Sequence, residues 1–353
     1  MMRERREIVR LWHESESAVL ATLVGVEGSS YRRPGARLLI ADDGRYAGAI
    51  SGGCLEAELI RKARWSVRNG ASVQRFSTYF DDTADIPYGL GCGGTVDVLL
   101  EPSGTAAFSA IMRALEASLG GDTQTVRTWL PRGNRPLRRS VNGYPADEND
   151  TLALNENNDD QDFSEEVLLP PQRIVLCGAG DDARPIATLA SLMGWDVVVA
   201  DGRSQWARAE RFPEAQRVEL VVNPARSRLR ADDAVVVMTH SYELDREWLA
   251  AALPVGVRYL GLLGSRHRSA LLISEAASML GWSVAQVCEQ VSAPIGLDLG
   301  GDGAESIALA VVAEIQARCE GKLGASQRMT AELVADQIAK GGASRYLQTQ
   351  CAL

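Results

Sequence analysis

The chain has 353 residues, 46% hydrophobic and 24% charged, with a formal net charge of −9 from 37 basic and 46 acidic side chains. That length allows two or three domains of about 100–200 residues each, and the balance is that of a soluble globular protein with an ordinary core. The acidic surplus excludes a broad nucleic-acid footprint, which needs Lys and Arg concentrated on one face.

Six cysteines stand at positions 54, 92, 177, 288, 319 and 351. No two are spaced as CxxC, so neither a zinc ribbon nor a thioredoxin-like site is readable. Cysteines this sparse predict a reducing compartment rather than a disulfide framework. The opening MMRERREIVRLWHE lacks the apolar region of a signal peptide, and no uncharged apolar run reaches the ~18 residues of a membrane span. The expectation is a cytoplasmic protein.

In chain order, Ile8, Val9, Leu11 and Trp12 predict a first helix, and AVLATLVGVEG predicts a strand closed by glycine. ARLLIADDGRYAGAI predicts a hairpin around Asp42, Asp43 and Gly44. SGGC then leads into a helix from Leu55, Gln74 to Phe80 reads as a strand, GLGCGGTVDVLLEP as a glycine turn and strand, and Ile111 to Leu119 as a helix. The stretch LNENNDDQDFSEE is acidic and poor in apolar residues, too polar to order itself by burial. Residues 131–170 therefore read as a partly disordered linker ending at Pro170 and Pro171. Beyond it, RIVLCGAGDDARPIATLASLMGWDVVVADGR reads as strand, glycine turn, helix and strand, with further strands at VELVV, AVVVM and YLGLLG. Strands alternating with helices imply a parallel sheet covered on both faces. Helices are also predicted over Glu305–Ala317 and Thr330–Ile338. The predicted class is α/β: an α+β domain over 1–130, the linker, a Rossmann-like doubly wound domain over 171–325, and a helical tail over 326–353.

Gly178, Gly180 and Ala183 fit the GxGxxG/A pattern directly after an apolar strand. The first glycine permits the turn, the second admits a pyrophosphate close to backbone amides, and the third position must be small for helix and strand to pack. Asp201, ending the next strand, is placed to accept from a ribose hydroxyl. Asp181 and Asp182 point the other way, because two carboxylates repel a pyrophosphate while complementing a helix N-terminus. NAD(P) binding and a purely structural turn with capping aspartates both stay open.

In the first half, Gly52 and Gly53 precede Cys54, and Cys92 precedes Gly93 and Gly94. Glycine lets backbone approach a ligand, and a thiol beside a helix N-terminus gains thiolate character, which suits a soft metal or sulfur transfer. The alternative is a small buried hydrophobe next to a structural turn. Arg32, Arg33 and Arg37 flank Pro34 and Gly35; their guanidinium groups suit a phosphate, or else decorate a solvated loop. His240 follows an apolar strand at the end where α/β proteins place ligands, or its Thr-His pair caps the next helix. GLLGSRHR ends another strand with a glycine turn, and Ser265, Arg266 and Arg268 either bind an anion there or belong to a solvated turn. The three histidines, His13, His240 and His267, fall in separate elements, and no GxSxG, HExxH or P-loop occurs. Asp81, Asp82 and Asp85 offer carboxylates, but nothing fixes a facing acid–base pair.

GSSYRRPGARLLIADDGRYAGAISGGCLEAEL followed by GLGCGGTVDVLLEP resembles the N-terminal domain of the xanthine dehydrogenase accessory factor family of XdhC/CoxI type. CGAGDDARPIATLASLMGWDVVVADGR, VVVMTHSYELD, YLGLLGSRHR and APIGLDLGGDGAESIALAVVAEI resemble that family's Rossmann domain in the same order. The resemblance implies a protein that binds molybdenum cofactor (molybdopterin), shields it, supports its sulfuration by a cysteine desulfurase and delivers it to an apo xanthine dehydrogenase or related molybdoenzyme. It also implies a homodimer. Cys54 and Cys92 become the thiols that contact cofactor and its molybdenum, with Gly52, Gly53, Gly93 and Gly94 giving backbone access and the arginines near Pro34 meeting the pterin phosphate. The chain departs from the pattern at Asp181, where many relatives carry histidine, and at Ser241, where an acid is usual. The scattered cysteines do not make an iron–sulfur domain, so the accessory role is favoured over the dehydrogenase itself. The rivals are an NAD(P)-dependent oxidoreductase and a scaffold between dehydrogenase and desulfurase that touches no cofactor.

Overall fold

The run AVLATL is buried at every position, so its strand must be covered on both faces, and the structure supplies both covers. In the computed structural model, which describes residues 2–53, 55–77, 94–133, 135–147 and 163–323, β1 (Ala18–Gly28) is the middle strand of a five-stranded antiparallel sheet ordered β3-β2-β1-β5-β4. The other strands of the sheet are β2 (Arg37–Ala41), β3 (Tyr46–Gly48), β4 (Ser72–Ser77) and β5 (Gly94–Pro102), of which β2 and β5 pair directly with β1. Val19, Ala21 and Leu23 pack towards α2 (Glu56–Ser66). Ala18 and Leu20, pointing the opposite way by the two-residue period of a strand, pack with α1 (Met2–His13) and α3 (Ala106–Leu119). The predicted hairpin is β2–β3, with Ile40 opposite Tyr46.

A second antiparallel sheet, ordered β8-β7-β6-β9, consists of β6 (Gln124–Trp129), β7 (Arg138–Val141), β8 (Tyr144–Pro145) and β9 (Phe163–Leu168). This corrects the linker reading of 131–170 for its described parts. Gln124 pairs with Leu168 and Trp129 with Phe163, so the two sides of the acidic stretch are neighbouring strands, and residues 148–162 lie outside the described residues. The sheet joins the core of α1 and α3 through Val126 and Leu168. It is also tied there by charge: Arg139 donates to both carboxylate oxygens of Glu101, at 2.7 and 3.1 Å, and to the Ala107 carbonyl at 2.7 Å. All of this belongs to a unit spanning Arg3–Pro170.

The second unit spans Pro171–Ala325. Its six strands are β10 (Arg173–Cys177), β11 (Asp196–Asp201), β12 (Arg217–Leu220), β13 (Ala234–Val237), β14 (Tyr259–Leu262) and β15 (Val291–Ser292), all parallel, in the order β12-β11-β10-β13-β14-β15. Numbered within the unit this is 3-2-1-4-5-6, the doubly wound Rossmann order, whose direction reverses between β10 and β13. One face packs α4 (Ala183–Leu192) and α8 (Ala304–Cys319) on Ile174, Leu176 and Val199. The other packs α5 (Tyr242–Ala252), α6 (Arg266–Leu280) and α7 (Val284–Gln290) on Val175, Cys177 and Val237. Burial pushes the Cys177 thiol well above its ordinary pKa, which makes it a packing residue rather than a reactive one. The tail helix predicted over 330–338 lies outside the described residues. Among the described residues no single helix is long and apolar enough to cross a membrane.

Candidate functional site

In the first unit, antiparallel pairing brings the C-terminal ends of β1 and β3 and the N-terminal ends of β2 and β5 to one end of the sheet. The glycine-rich segments meet there. A Cβ on Gly94 would lie 2.2 Å from the Ser29 carbonyl oxygen and 2.8 Å from that of Glu27, so only glycine allows β5 to start against the Gly-Ser-Ser end of β1. The Ser51–Gly53 turn comes in beside the same loop, with the Tyr31 ring 3.9 Å from the Cβ position of Gly52. Gly52, Gly53 and Tyr31 are exposed, and among the described residues nothing lies within 4 Å of the Cβ position of Gly53.

The turn is held from below by a residue the motif reading passed over. Glu56, 7% exposed, accepts from the amides of Ile50 at 2.9 Å and Ser51 at 2.6 Å and from the Ser51 hydroxyl. Ser51 Oγ in turn accepts from the amides of Gly53 and Leu55. Burial alone raises the Glu56 carboxyl pKa, but these bonds outweigh it and hold the pKa below the ordinary value. The sequence shows only a glutamate two residues past Cys54 at the start of a helix, and nothing in it marks that carboxylate as the anchor.

Cys54, Cys92 and Gly93, together with Asp81, Asp82 and Asp85, lie outside the described residues. The arginines divide. Arg32 pairs with Glu4, and Arg37, 8% exposed, forms a two-pronged pair with Glu166 and donates to the Gly35 carbonyl at 3.0 Å. Arg33 alone is exposed and has no ion-pair partner among the described residues. A cavity of about 140 Å³ lies behind Pro34 and Gly35, lined also by Thr22, Arg37, Arg139 and Glu166.

In the second unit, Gly178 takes φ +129°, and a Cβ there would stand 2.4 Å from the Met238 carbonyl oxygen. The first motif glycine thus lets β10 turn against the end of β13. Asp201 does not present a free carboxylate. It is 3% exposed and accepts from Ala179 N–H at 2.8 Å and from Arg203 N–H, Nε and Nη2 at 2.8, 2.9 and 2.7 Å. Burial raises its pKa, yet the bonds from Arg203 and Ala179 bring it below the ordinary carboxylate value. Four bonds use the accepting capacity of a carboxylate, and a ribose hydroxyl finds none left while Arg203 stays.

The aspartates of the turn are engaged as well. Asp182 makes no cap hydrogen bond to α4; its Oδ2 sits 2.8 Å from His240 Nε2. Asp181 pairs with Arg211 at 2.9 Å, and Arg211 stacks on the Trp206 ring at 4.5 Å. His240 reaches Asp182 from a left-handed backbone, φ +62°. Its neighbours carry the capping role: Ser241 Oγ accepts from Leu244 N–H, and Thr239 donates from N–H and Oγ1 to Asp245 at 2.9 and 2.6 Å. The glycine turn is therefore ringed by carboxylates held by Arg203, Arg211 and His240. Among the described residues no group of three or more His, Cys, Asp or Glu is placed to hold a metal ion.

Two family models match the chain. Residues 174–315 match the XdhC Rossmann domain and residues 11–77 the XdhC and CoxI family. The chain is 29% identical over 330 residues to a Bacillus subtilis (strain 168) protein named as a probable xanthine dehydrogenase subunit, covering 86% of this chain and 94% of that one. It is 28% identical over 319 residues to the molybdenum cofactor insertion chaperone PaoD of Escherichia coli (strain K12), covering 88% of each. A crystal structure described as a xanthine dehydrogenase from Bacillus halodurans matches with a TM-score of 0.76 at 26% identity, covering 94% of this chain and 99% of that one.

Proposed function

We propose a function from one premise: this chain belongs to the XdhC and CoxI family. It serves the maturation of molybdenum cofactor for a xanthine-dehydrogenase-type enzyme, a role supported by its likeness to a molybdenum cofactor insertion chaperone. In this reading the protein binds the cofactor, protects it, supports its sulfuration by a cysteine desulfurase and delivers it to the apo-enzyme. It acts as a cytoplasmic homodimer.

The observation that carries the binding step is the open Ser51–Gly53 turn, anchored by Glu56 and gathered with Gly94 and Tyr31 at one sheet end. Bare glycine backbone at an exposed turn fits a flat, polar ligand, and Arg33, exposed on the neighbouring loop, is the cation for its phosphate. Arg32 and Arg37, tied to Glu4 and Glu166, act as supports of the loop rather than as phosphate partners. Cys54 and Cys92 are the proposed thiol contacts, because thiolate is the soft ligand that suits a molybdenum centre. When bound, the cofactor supplies the metal that the dehydrogenase will use; this chain supplies the holding groups.

The NAD(P)-dependent reading is weakened by the geometry around Gly178 and Gly180, where Asp201 is saturated and Asp181 and Asp182 stand at the turn. Anaerobic purification followed by assay of the fluorescent oxidation product of molybdopterin tests the carrier. The wild type retains cofactor, and Cys54→Ala with Cys92→Ala loses it. Full retention by that double variant would reject the thiol assignment, and no retention by the wild type would favour the scaffold.

A further inference from the structure

At the end of β14 the chain reads Gly264-Ser265-Arg266-His267-Arg268-Ser269 and passes directly into α6. Ser265 caps the helix, its Oγ accepting from Arg268 N–H at 3.4 Å, and its carbonyl accepts from Ser269 N–H at 2.9 Å. The amides of Arg266 and His267, in the first two helical positions, have no carbonyl within the helix to receive them. Ser265, Arg266 and His267 are exposed, so these donors can be reached from solvent.

A second observation is independent of the helix end. Ser269 is 3% exposed and its hydroxyl has no hydrogen-bond partner among the described residues; Arg268 Nη2, also buried, has none among them either. Buried polar groups are nearly always satisfied, and an orphan calls for an explanation. Both residues turn towards the glycine that precedes the cap. A Cβ at Gly264 would stand 3.7 Å from Arg268 Nη1 and 3.9 Å from Ser269 Oγ, within van der Waals contact of both, so the two side chains border that side of the turn. The guanidinium cannot swing away, because Nη1 is held at 2.6 Å by Asp245, which is 0% exposed and itself fixed by Thr239. Arg268 also lies over the Tyr242 ring at 5.7 Å.

We propose that this turn, and not the glycine turn after β10, is the phosphate seat of the Rossmann unit, taking a phosphomonoester dianion. The amides of Arg266 and His267, Arg268 Nη2 and Ser269 Oγ offer four donors to an acceptor with several oxygens. The position is one strand further from the switch point than the usual seat, where Asp181 keeps its carboxylate exposed; here the paired carboxylate, Asp245, is fully buried and the Arg268 guanidinium is the more exposed partner. The proposal does not depend on the carrier function.

The test is titration of the full chain with inorganic phosphate by calorimetry at constant ionic strength, with chloride as the reference anion, and then with AMP against adenosine. Saturable phosphate binding with Kd below about 10 mM is expected. Ser269→Ala should weaken it about fivefold or more without lowering Tm, since the hydroxyl it removes has no partner, and Arg268→Lys should weaken it about tenfold or more. AMP binding more tightly than phosphate identifies a nucleotide as the source, and equal binding identifies the phosphate group alone. Absence of saturable binding in the wild type, or unchanged affinity in folded Ser269→Ala, overturns the assignment.

Discussion

His240 Nε2 and Asp182 Oδ2 stand 2.8 Å apart across the switch point between β10 and β13. His240 adopts a left-handed backbone to make the contact, a conformation uncommon outside glycine. Together with the Asp181–Arg211 pair, it places two carboxylates where dinucleotide-binding folds turn bare amides towards a pyrophosphate. Each like-charge pair opposes binding by about 1 kcal/mol at 4 Å even in bulk water. Calorimetric titration with NAD(H) and NADP(H) should therefore show no saturation in the low millimolar range. The Asp181→Asn, Asp182→Asn double variant should gain about tenfold or more in affinity. Micromolar binding by the wild type would restore the oxidoreductase reading.

Arg139 and Glu101, 2% and 0% exposed at their side chains, connect the second sheet of the first unit to the first. Removing one partner of such a pair leaves an unpaired charge in the core, which costs about 3–5 kcal/mol. Arg139→Met and Glu101→Leu should each lower the urea midpoint sharply, while the double variant recovers most of the loss. Equal and additive losses in the cycle would mean that the two side chains act separately and that the pair does not join the sheets.

The Rossmann half was legible because its signal is local. IVLC, VVVA and AVVV are unbroken apolar runs, and a glycine turn follows the first within three residues. The second sheet of the first unit carries no such signal. Only Val126 and Leu168 among its strand residues join the hydrophobic core as buried members, the face they share is finished by Thr128 and Arg139, and its strands β6 and β9 are separated by the acidic stretch. Polar strands closed by ion pairs read as linker until the partners are known, and Arg37 finds Glu166 at 129 residues' separation. The same limit applies at the sites. Asp201 sat where a ribose acceptor belongs, but Arg203, two residues on, occupies it. Glu56 was hidden for the opposite reason: it is close in sequence to the glycine turn, yet a glutamate opening a helix reads as ordinary dipole compensation.

Asp201 also makes stability depend on pH. Its folded pKa lies below the ordinary value, so its contribution is complete above the unfolded pKa of about 3.9 and is lost as pH falls through the lower folded value. Asp201→Asn removes that contribution, about 1.5–3 kcal/mol for charge-assisted bonds of this kind. The gap in urea midpoint between wild type and variant should be constant above about pH 5 and narrow below about pH 4. A gap that does not change with pH would show that the charge on Asp201 contributes nothing and that only its shape matters.

The anchor under the Ser51–Gly53 turn gives the carrier reading a test that leaves both cysteines in place. Glu56 accepts from two amides and a hydroxyl of the turn, and truncation takes that shared acceptor away from all three. Losing a buried acceptor costs about 1–3 kcal/mol for each donor left unsatisfied, enough to release the turn while the packed body of the sheet, in Leu20, Leu38 and Leu99, is untouched. Glu56→Ala should therefore keep the circular dichroism of the wild type but retain at least about fivefold less molybdopterin after anaerobic purification, a loss of roughly 1 kcal/mol in binding. Glu56→Gln, which keeps an acceptor oxygen within reach of the amides, should fall between the two. If Glu56→Ala carries as much cofactor as the wild type, the open glycine turn is not where the cofactor is held, whatever Cys54 and Cys92 do.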